Sequence, residues 1–261
     1  SFLTLENAYH GDTVGAMSLG GIDAFHGAYR PLMFRTRKVM APYCYRCPFN
    51  RAKPERTDAR VYRKCNWECI SQVEQKLVAQ KNPQSAIRNP KFPVAAVIEP
   101  LIQGAAGMIA HPMGYLKKFA SLCRQQDVLL IADEVMTGFG RTGTLFACEQ
   151  EKVSPDFLCL AKGLTGGYLP LAATLTSRRV FDAFLGEHAE RKTFFHGHSY
   201  TANPLGCSAA LASLEVFERE ITLKTIGARS VELGVMLQRF WKLPHVGDVR
   251  QVGLIAGIEL V

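Results

Sequence analysis

Lys162 follows the apolar run Phe157-Leu158-Cys159-Leu160-Ala161 directly and precedes Gly163-Leu164-Thr165-Gly166-Gly167. A lysine at the mouth of an apolar strand is unusual, because lysine is almost never buried without a reason. Small neighbours leave room for a bulky group on its amine, and a Schiff-base lysine needs that room together with a lowered pKa. A second apolar run, Leu129-Leu130-Ile131-Ala132, ends in Asp133 and Glu134. An aspartate at an adjacent strand end could pair with a pyridinium nitrogen. At an effective dielectric of ~20, a contact near 4 Å is worth about 4 kcal/mol before desolvation. That bias keeps such a ring protonated, and the protonated ring is an electron sink. The pattern alone is served equally by a lysine that snorkels from a strand end and an aspartate that caps a neighbouring helix.

Two other chemistries compete for the strand end at Asp133-Glu134. A metal-holding strand of a P-loop NTPase requires a glycine-rich loop ending in Gly-Lys-Ser/Thr, and the sequence contains no Gly-Lys dipeptide. Gly138-Phe139-Gly140-Arg141-Thr142-Gly143 satisfies G-x-G-x-x-G. A dinucleotide site needs those glycines directly between strand and helix, whereas residues 133–137 intervene and Thr144-Leu145-Phe146-Ala147 is no clear helix start. The segment reads as a turn, with Arg141 serving the turn or gripping a carboxylate. His196-x-His198 has the spacing of a metal pair but sits in a glycine-containing loop. Glu99-Pro100 ends a strand, and Glu99 reads as orienting a site rather than as catalytic.

These residues need strands to carry them. Residues 1–6, 94–98, 128–132, 157–161 and 171–174 read as strands. Leu116, Phe119, Ala120 and Cys123 recur at helical spacing within 113–126, and helices are expected at about 204–219 and 224–241. Alternation of helices with apolar strands predicts an α/β fold with a mostly parallel sheet flanked by helices, whose ligands bind at the carboxyl ends of the strands. Residues 249–252 and 254–261 read as a new hairpin. The expected division is a large domain, 1–241, with a basic Cys-containing loop at 42–70, followed by the start of a smaller domain, 242–261. Both ends of the chain fall within strand-like segments, so a piece of a longer protein is expected.

The net charge of +8 is local. Residues 30–64 hold eleven Lys or Arg against Glu55 and Asp58, which leaves the remainder almost neutral. A uniform nucleic-acid binder should not be patterned so. No apolar run is long enough to span a bilayer, and residues 1–6 carry no signal-peptide pattern. Cys123, Cys148, Cys159 and Cys207 lie in apolar surroundings and read as small core residues of a reducing, cytoplasmic compartment. Cys44, Cys47, Cys65 and Cys69 form C-x2-C and C-x3-C pairs that zinc ribbons also use, although the second spacing is slightly long.

Taken in order, Tyr9-His10-Gly11-Asp12-Thr13, Glu99-Pro100-Leu101-Ile102-Gln103-Gly104, Ala132-Asp133-Glu134-Val135, Gly138–Gly143, Leu160-Ala161-Lys162-Gly163-Leu164-Thr165-Gly166-Gly167 and His196–Gly206 resemble the class III (ω-amino) aminotransferases of pyridoxal-phosphate fold type I. The resemblance covers nearly the whole chain. It implies pyridoxal 5'-phosphate as cofactor, small-molecule amino donors and keto acceptors as substrates, and a homodimer with shared active sites. It implies that Lys162 carries the cofactor and moves protons, that Asp133 meets the pyridine nitrogen, and that Val135 packs on one ring face. It places Gln103 near the ring hydroxyl, and Tyr9 and Gly197 near the substrate. His198 and Ser199 match the pair that reaches the neighbouring subunit's cofactor phosphate. Ser199 stands where many relatives carry threonine, with the hydroxyl retained. Tyr43-Cys44-Tyr45-Arg46-Cys47-Pro48 matches a stretch that shapes the substrate entrance in this subgroup. The family's Gly/Ser phosphate loop and its carboxylate-binding arginine have no counterpart in residues 1–261.

Overall fold

A computed structural model describes residues 1–52, 60–77 and 93–261. The described residues form ten strands: β1 Phe2–Leu5, β2 Arg37–Val39, β3 Ala95–Ile98, β4 Ile102–Gln103, β5 Ile109–Ala110, β6 Leu129–Asp133, β7 Phe157–Leu160, β8 Ala173–Thr176, β9 Val246–Val252 and β10 Ile255–Leu260. Six of them form one sheet in the order β2-β1-β3-β6-β7-β8. All its neighbours run parallel except β8, which is antiparallel to β7.

The helices are α1 Val14–Leu19, α2 Asp23–His26, α3 Glu68–Leu77, α4 Tyr115–Gln125, α5 Arg178–Asp182, α6 Pro204–Arg219 and α7 Thr222–Leu237. The periodicity at 116–123 is realised in α4, which buries Tyr115, Leu116, Phe119 and Cys123. These pack with Leu3, Leu5, Val39, Ile98 and Leu130 of the sheet and with Val73 and Leu77 of α3. Each such large apolar side chain contributes about 1.5–3 kcal/mol on burial. Gly114 cannot cap α4 with a side chain; Glu151 does so instead, accepting the Gly114 and Lys117 N–H groups. At α6 the Asn203 side chain accepts from Leu205 and Gly206 N–H, and Pro204 opens the first turn.

One strand departs from the sequence expectation. It spans 173–176 rather than 171–174, and it runs antiparallel. A parallel return needs a crossover of a dozen or more residues, usually helical. The link from β7 holds only the short 3-10 turn Lys162–Thr165 and the left-handed Gly166 and Gly167, so the chain folds back as a hairpin. β7 is also less covered than expected: Phe157, Leu158 and Cys159 are half-buried and only Leu160 is buried.

The β9–β10 hairpin is fastened by Arg250, which is buried. Its guanidinium pairs with Asp248 at 3.1 Å and Glu259 at 2.9 Å, and donates to the Gly107 and Met108 carbonyls. Tyr43 and Arg46 of the cysteine-containing segment donate to the same Glu259.

Candidate cofactor and substrate site

The carboxyl ends of β1, β3 and β6 are drawn together by two acids, buried Glu99 and half-buried Asp133. After β1 the chain turns at Asn7, in left-handed conformation, and presents Tyr9, His10 and Asp12. Glu99, just past β3, accepts the Tyr9 N–H at 3.2 Å and the Gly104 N–H at 2.9 Å, which ties the Tyr9 loop to the Gln103 turn. Burial pushes the Glu99 carboxyl above its ordinary range, and nearby Asp133 pushes it the same way, while His10 and the two N–H donors oppose this. Asp133 closes β6. Its Oδ1 accepts the Val135 N–H at 3.1 Å, and its Oδ2 lies 2.7 Å from His10 Nδ1. Glu134 turns the other way, accepting from Ala147, Cys148 and Thr137. The two adjacent acids therefore divide: one faces the strand ends, and one holds the turn that contains Gly138–Gly143.

Gln103 is fully buried. Its Nε2 donates to the Glu6 carbonyl at 3.0 Å, and its Oε1 has no partner among the described residues. An orphaned acceptor of this kind is costly unless a ligand or water meets it.

Asp133 pairs in register with Cys159 on β7, and Lys162 follows three residues later. Burial, followed by the Asp133 charge, raises the Cys159 thiol to about 11. Lys162 adopts φ +47°, a conformation that costs a non-glycine residue of order 1–2 kcal/mol. Gly163 makes this turn possible, since a Cβ there would fall 2.7 Å from the Phe139 side chain. Lys162 lies exposed on a cleft of about 1050 Å³ that also takes in Thr165, Tyr168, His198, Tyr200 and Asn203.

The expected residues thus fall into two groups. Tyr9, Gln103, Asp133 and Val135 cluster at the strand ends; Lys162 and His198 share the cleft. Gly197 and Ser199 lie in the exposed loop beside His198. His198 accepts the Tyr200 N–H on Nδ1, and its own N–H donates to Thr201. Arg141 is exposed and its carbonyl accepts the Leu254 N–H. The Gly138–Gly143 segment is a turn followed by the 3-10 segment Ala147–Glu151. Sequence reasoning did not single out His10; its place beside an aromatic residue just past a strand end was the available signal. Asp12 and His26, which bond to each other, carried none.

Cys44, Cys47, Cys65 and Cys69 come close enough to influence one another, and burial first, then the other cysteines, raises Cys44 and Cys69 to about 12. Among the described residues, no group of three or more His, Cys, Asp or Glu side chains is arranged to hold a metal. No helix among them is long and apolar enough to cross a membrane.

The model of the aminotransferase class-III family matches residues 1–261, and the chain belongs to that family. Among its curated relatives are the adenosylmethionine-8-amino-7-oxononanoate aminotransferases of Aquifex aeolicus, 52% identical over 261 residues, and of Geobacter sulfurreducens, 50% identical over 260. Each alignment covers all of this chain but only 53% and 54% of the relative, so the chain spans about half their length. The crystal structure of the corresponding enzyme from Methanocaldococcus jannaschii superposes with a TM-score of 0.84 at 42% identity, covering 100% of this chain and 53% of that one. The omega transaminase from Pseudomonas jessenii in complex with PMP gives 0.83 at 30% identity, covering 100% and 54%. The fold is that of the fold type I pyridoxal-phosphate transaminases.

Proposed function

We propose that this chain is the cofactor-carrying part of an adenosylmethionine-8-amino-7-oxononanoate aminotransferase. It would transfer an amino group from a donor to 8-amino-7-oxononanoate, giving 7,8-diaminononanoate in biotin synthesis. The observation that carries the reading is Asp133, held at the end of β6 beside the strand that delivers Lys162 to the cleft. Identity near 50% over the whole chain to curated relatives of that name supports the choice of substrate.

The residues present fit pyridoxal phosphate. Lys162 offers an amine, Asp133 an anchored carboxylate and Gln103 a free buried acceptor for a ring hydroxyl. When bound, that cofactor supplies the electron sink. Lys162 would hold it and, when released, hold and return the substrate's proton. Asp133 would keep its charge against the ring nitrogen. Val135 and Tyr9 would pack against the ring and substrate, and Gly197 would leave room for the substrate. His198 and Ser199 would reach the cofactor phosphate of a second subunit. The exposed Phe194, Phe195, Tyr200 and Leu205 around them support a homodimer interface. Residues 1–241 would form the large domain and 242–261 the start of the small one. Eight free thiols support a reducing compartment, the cytoplasm.

Pyridoxal phosphate added to the whole protein should give the absorbance band of a lysine-bound cofactor. Lys162→Ala should abolish it, and a persisting band overturns the assignment. A second reading is a class III transaminase for another ω-amine, favoured by the likeness to the omega transaminase. Assay of several ketone acceptors side by side, with S-adenosylmethionine and lysine as alternative donors, separates the two.

A further inference from the structure

Tyr9 is held by side chains from its own loop and from α2. Its hydroxyl donates to Asp12 Oδ2 at 3.0 Å, and the other Asp12 oxygen lies 2.9 Å from His26 Nε2. The Tyr9 and His26 rings also stack, with centroids 5.7 Å apart and planes inclined by 14°. Phe25 closes the edge of Tyr9 at 5.9 Å. Asp12 is largely exposed while His26 is only 4% exposed. A solvated carboxylate on a loop would orient a phenol poorly, since exposed pairs contribute little. A buried imidazole that grips the same carboxylate fixes it.

The fold makes room for this imidazole at a particular place. Gly20 ends α1, and a Cβ there would come 3.3 Å from His26 Nδ1 and 3.2 Å from the Ala8 and Met17 carbonyls. His26 Nδ1 has no partner among the described residues. A proton on Nδ1 would be buried without an acceptor, so the ring carries its proton on Nε2 and donates it to Asp12. His26 therefore acts on Tyr9 twice, through the carboxylate and through the stacked face. The Asp12 carboxyl is held below its ordinary range, first by the hydrogen bond from His26 and then by that from Tyr9. The other charged groups around the recess that His26 lines are Asp23, Arg30, Arg35 and Lys38, with Arg30 paired to Asp23.

We infer that His26 is a positioning residue for the keto acceptor, acting through Asp12 to hold the Tyr9 ring in the orientation the site uses. This rests on the reading of Tyr9 as a wall of the cofactor and substrate site. The test uses the full-length holoenzyme. His26→Phe keeps a stacking ring and removes the donor; His26→Gln keeps a donor near the Nε2 position. His26→Phe is expected to raise KM for the acceptor about tenfold, the scale of one hydrogen bond to a charged group, with kcat changed much less. The acid limb of kcat/KM should move to higher pH as Asp12 loses its partner. His26→Gln should restore both. A crystal structure of the His26→Phe enzyme should show the Tyr9 hydroxyl away from its wild-type position. Wild-type KM and pH profile in His26→Phe, or equal impairment in both variants, overturns the inference. If His26→Phe does not fold, Asp12→Asn must show the same rise in KM, and a wild-type KM there overturns it. Lys162→Ala serves as the control: retention of its cofactor band would sink the underlying reading of the site, whereas loss of that band beside an unaffected His26→Phe sinks this inference alone.

Discussion

His10 Nδ1 lies 2.7 Å from Asp133 Oδ2, in a contact where the two side chains are 4% and 12% exposed. Among the described residues, the other side-chain hydrogen bond that orients the Asp133 carboxylate comes from the Val135 N–H. Removing His10 also removes an imidazole that counters the effect of burial and of the Asp133 charge on Glu99. His10→Leu should therefore weaken pyridoxal phosphate binding about tenfold or more, the cost of losing a buried charge-assisted hydrogen bond. His10→Asn, which keeps a donor near the Nδ1 position, should recover part of it. Titration of the apo full-length protein with the cofactor measures both, and equal affinity of His10→Leu and wild type counts against a role for this contact.

Glu151 joins a helix end to a buried ion pair. It accepts two N–H groups at the start of α4 and pairs with Arg60 at 3.1 Å, both side chains being 9% exposed. Glu151→Ala leaves those donors and a buried guanidinium without this acceptor. The loss should be about 3–5 kcal/mol in denaturant unfolding of the whole protein. Glu151→Gln retains an acceptor and should lose clearly less; equal losses would mean that the carboxylate's hydrogen bonds to α4 are not what stabilises it.

The sheet was largely legible because apolar runs such as 129–132 carry their own strand signal, and Asp133 stands out as the polar residue that stops one. Lys162 was legible for the same reason at the end of β7. The direction of β8 was not, because direction depends on whether a crossover helix forms, and residues 161–172 show no pattern that decides it. The partition of Asp133 and Glu134 was equally hidden. Adjacent acids at a strand end point apart, but which one faces the site depends on the turn near Ala147, thirteen residues on. His10 and His26 act through contacts with residues 123 and 14 positions away, and spacing cannot reveal those.

Arg250 carries the attachment of the hairpin. Burial would raise the Glu259 carboxyl, but hydrogen bonds from Tyr43, Arg46 and Arg250 outweigh it and hold it at about 2. Because the folded value lies below the unfolded one, near 4.3, Glu259 contributes stability that is full above that unfolded value. This contribution is lost as pH falls through the folded value. Arg250→Met also takes the cation from Asp248, a buried carboxyl that keeps the Tyr62 hydroxyl as a donor, and should cost about 3–5 kcal/mol at neutral pH. Between pH 5 and 2 the variant should lose less further stability than wild type. Parallel acid-unfolding curves for the two proteins would contradict this account.

His111 is the opposite case. It is fully buried, neither ring nitrogen has a partner among the described residues, and burial, aided by the Arg60 charge, lowers it to about 3. It packs edge-on against Tyr115, whose buried hydroxyl is likewise without a partner there. In the unfolded chain the imidazole protonates near pH 6.5. Between that value and about 3 the unfolded state binds the extra proton, so stability falls as the solution is acidified, by up to about 1.4 kcal/mol per pH unit. His111→Leu removes both the titration and two unsatisfied buried nitrogens while keeping similar volume. At pH 7 it should be neutral or slightly stabilising, because replacing an unpaired buried polar group removes a desolvation cost. At pH 5 it should exceed wild type by a clear margin, growing from pH 7 downward. Thermal unfolding of the full-length protein at both values measures it. A margin that does not change with pH would mean that His111 does not enter the folded state as the neutral imidazole.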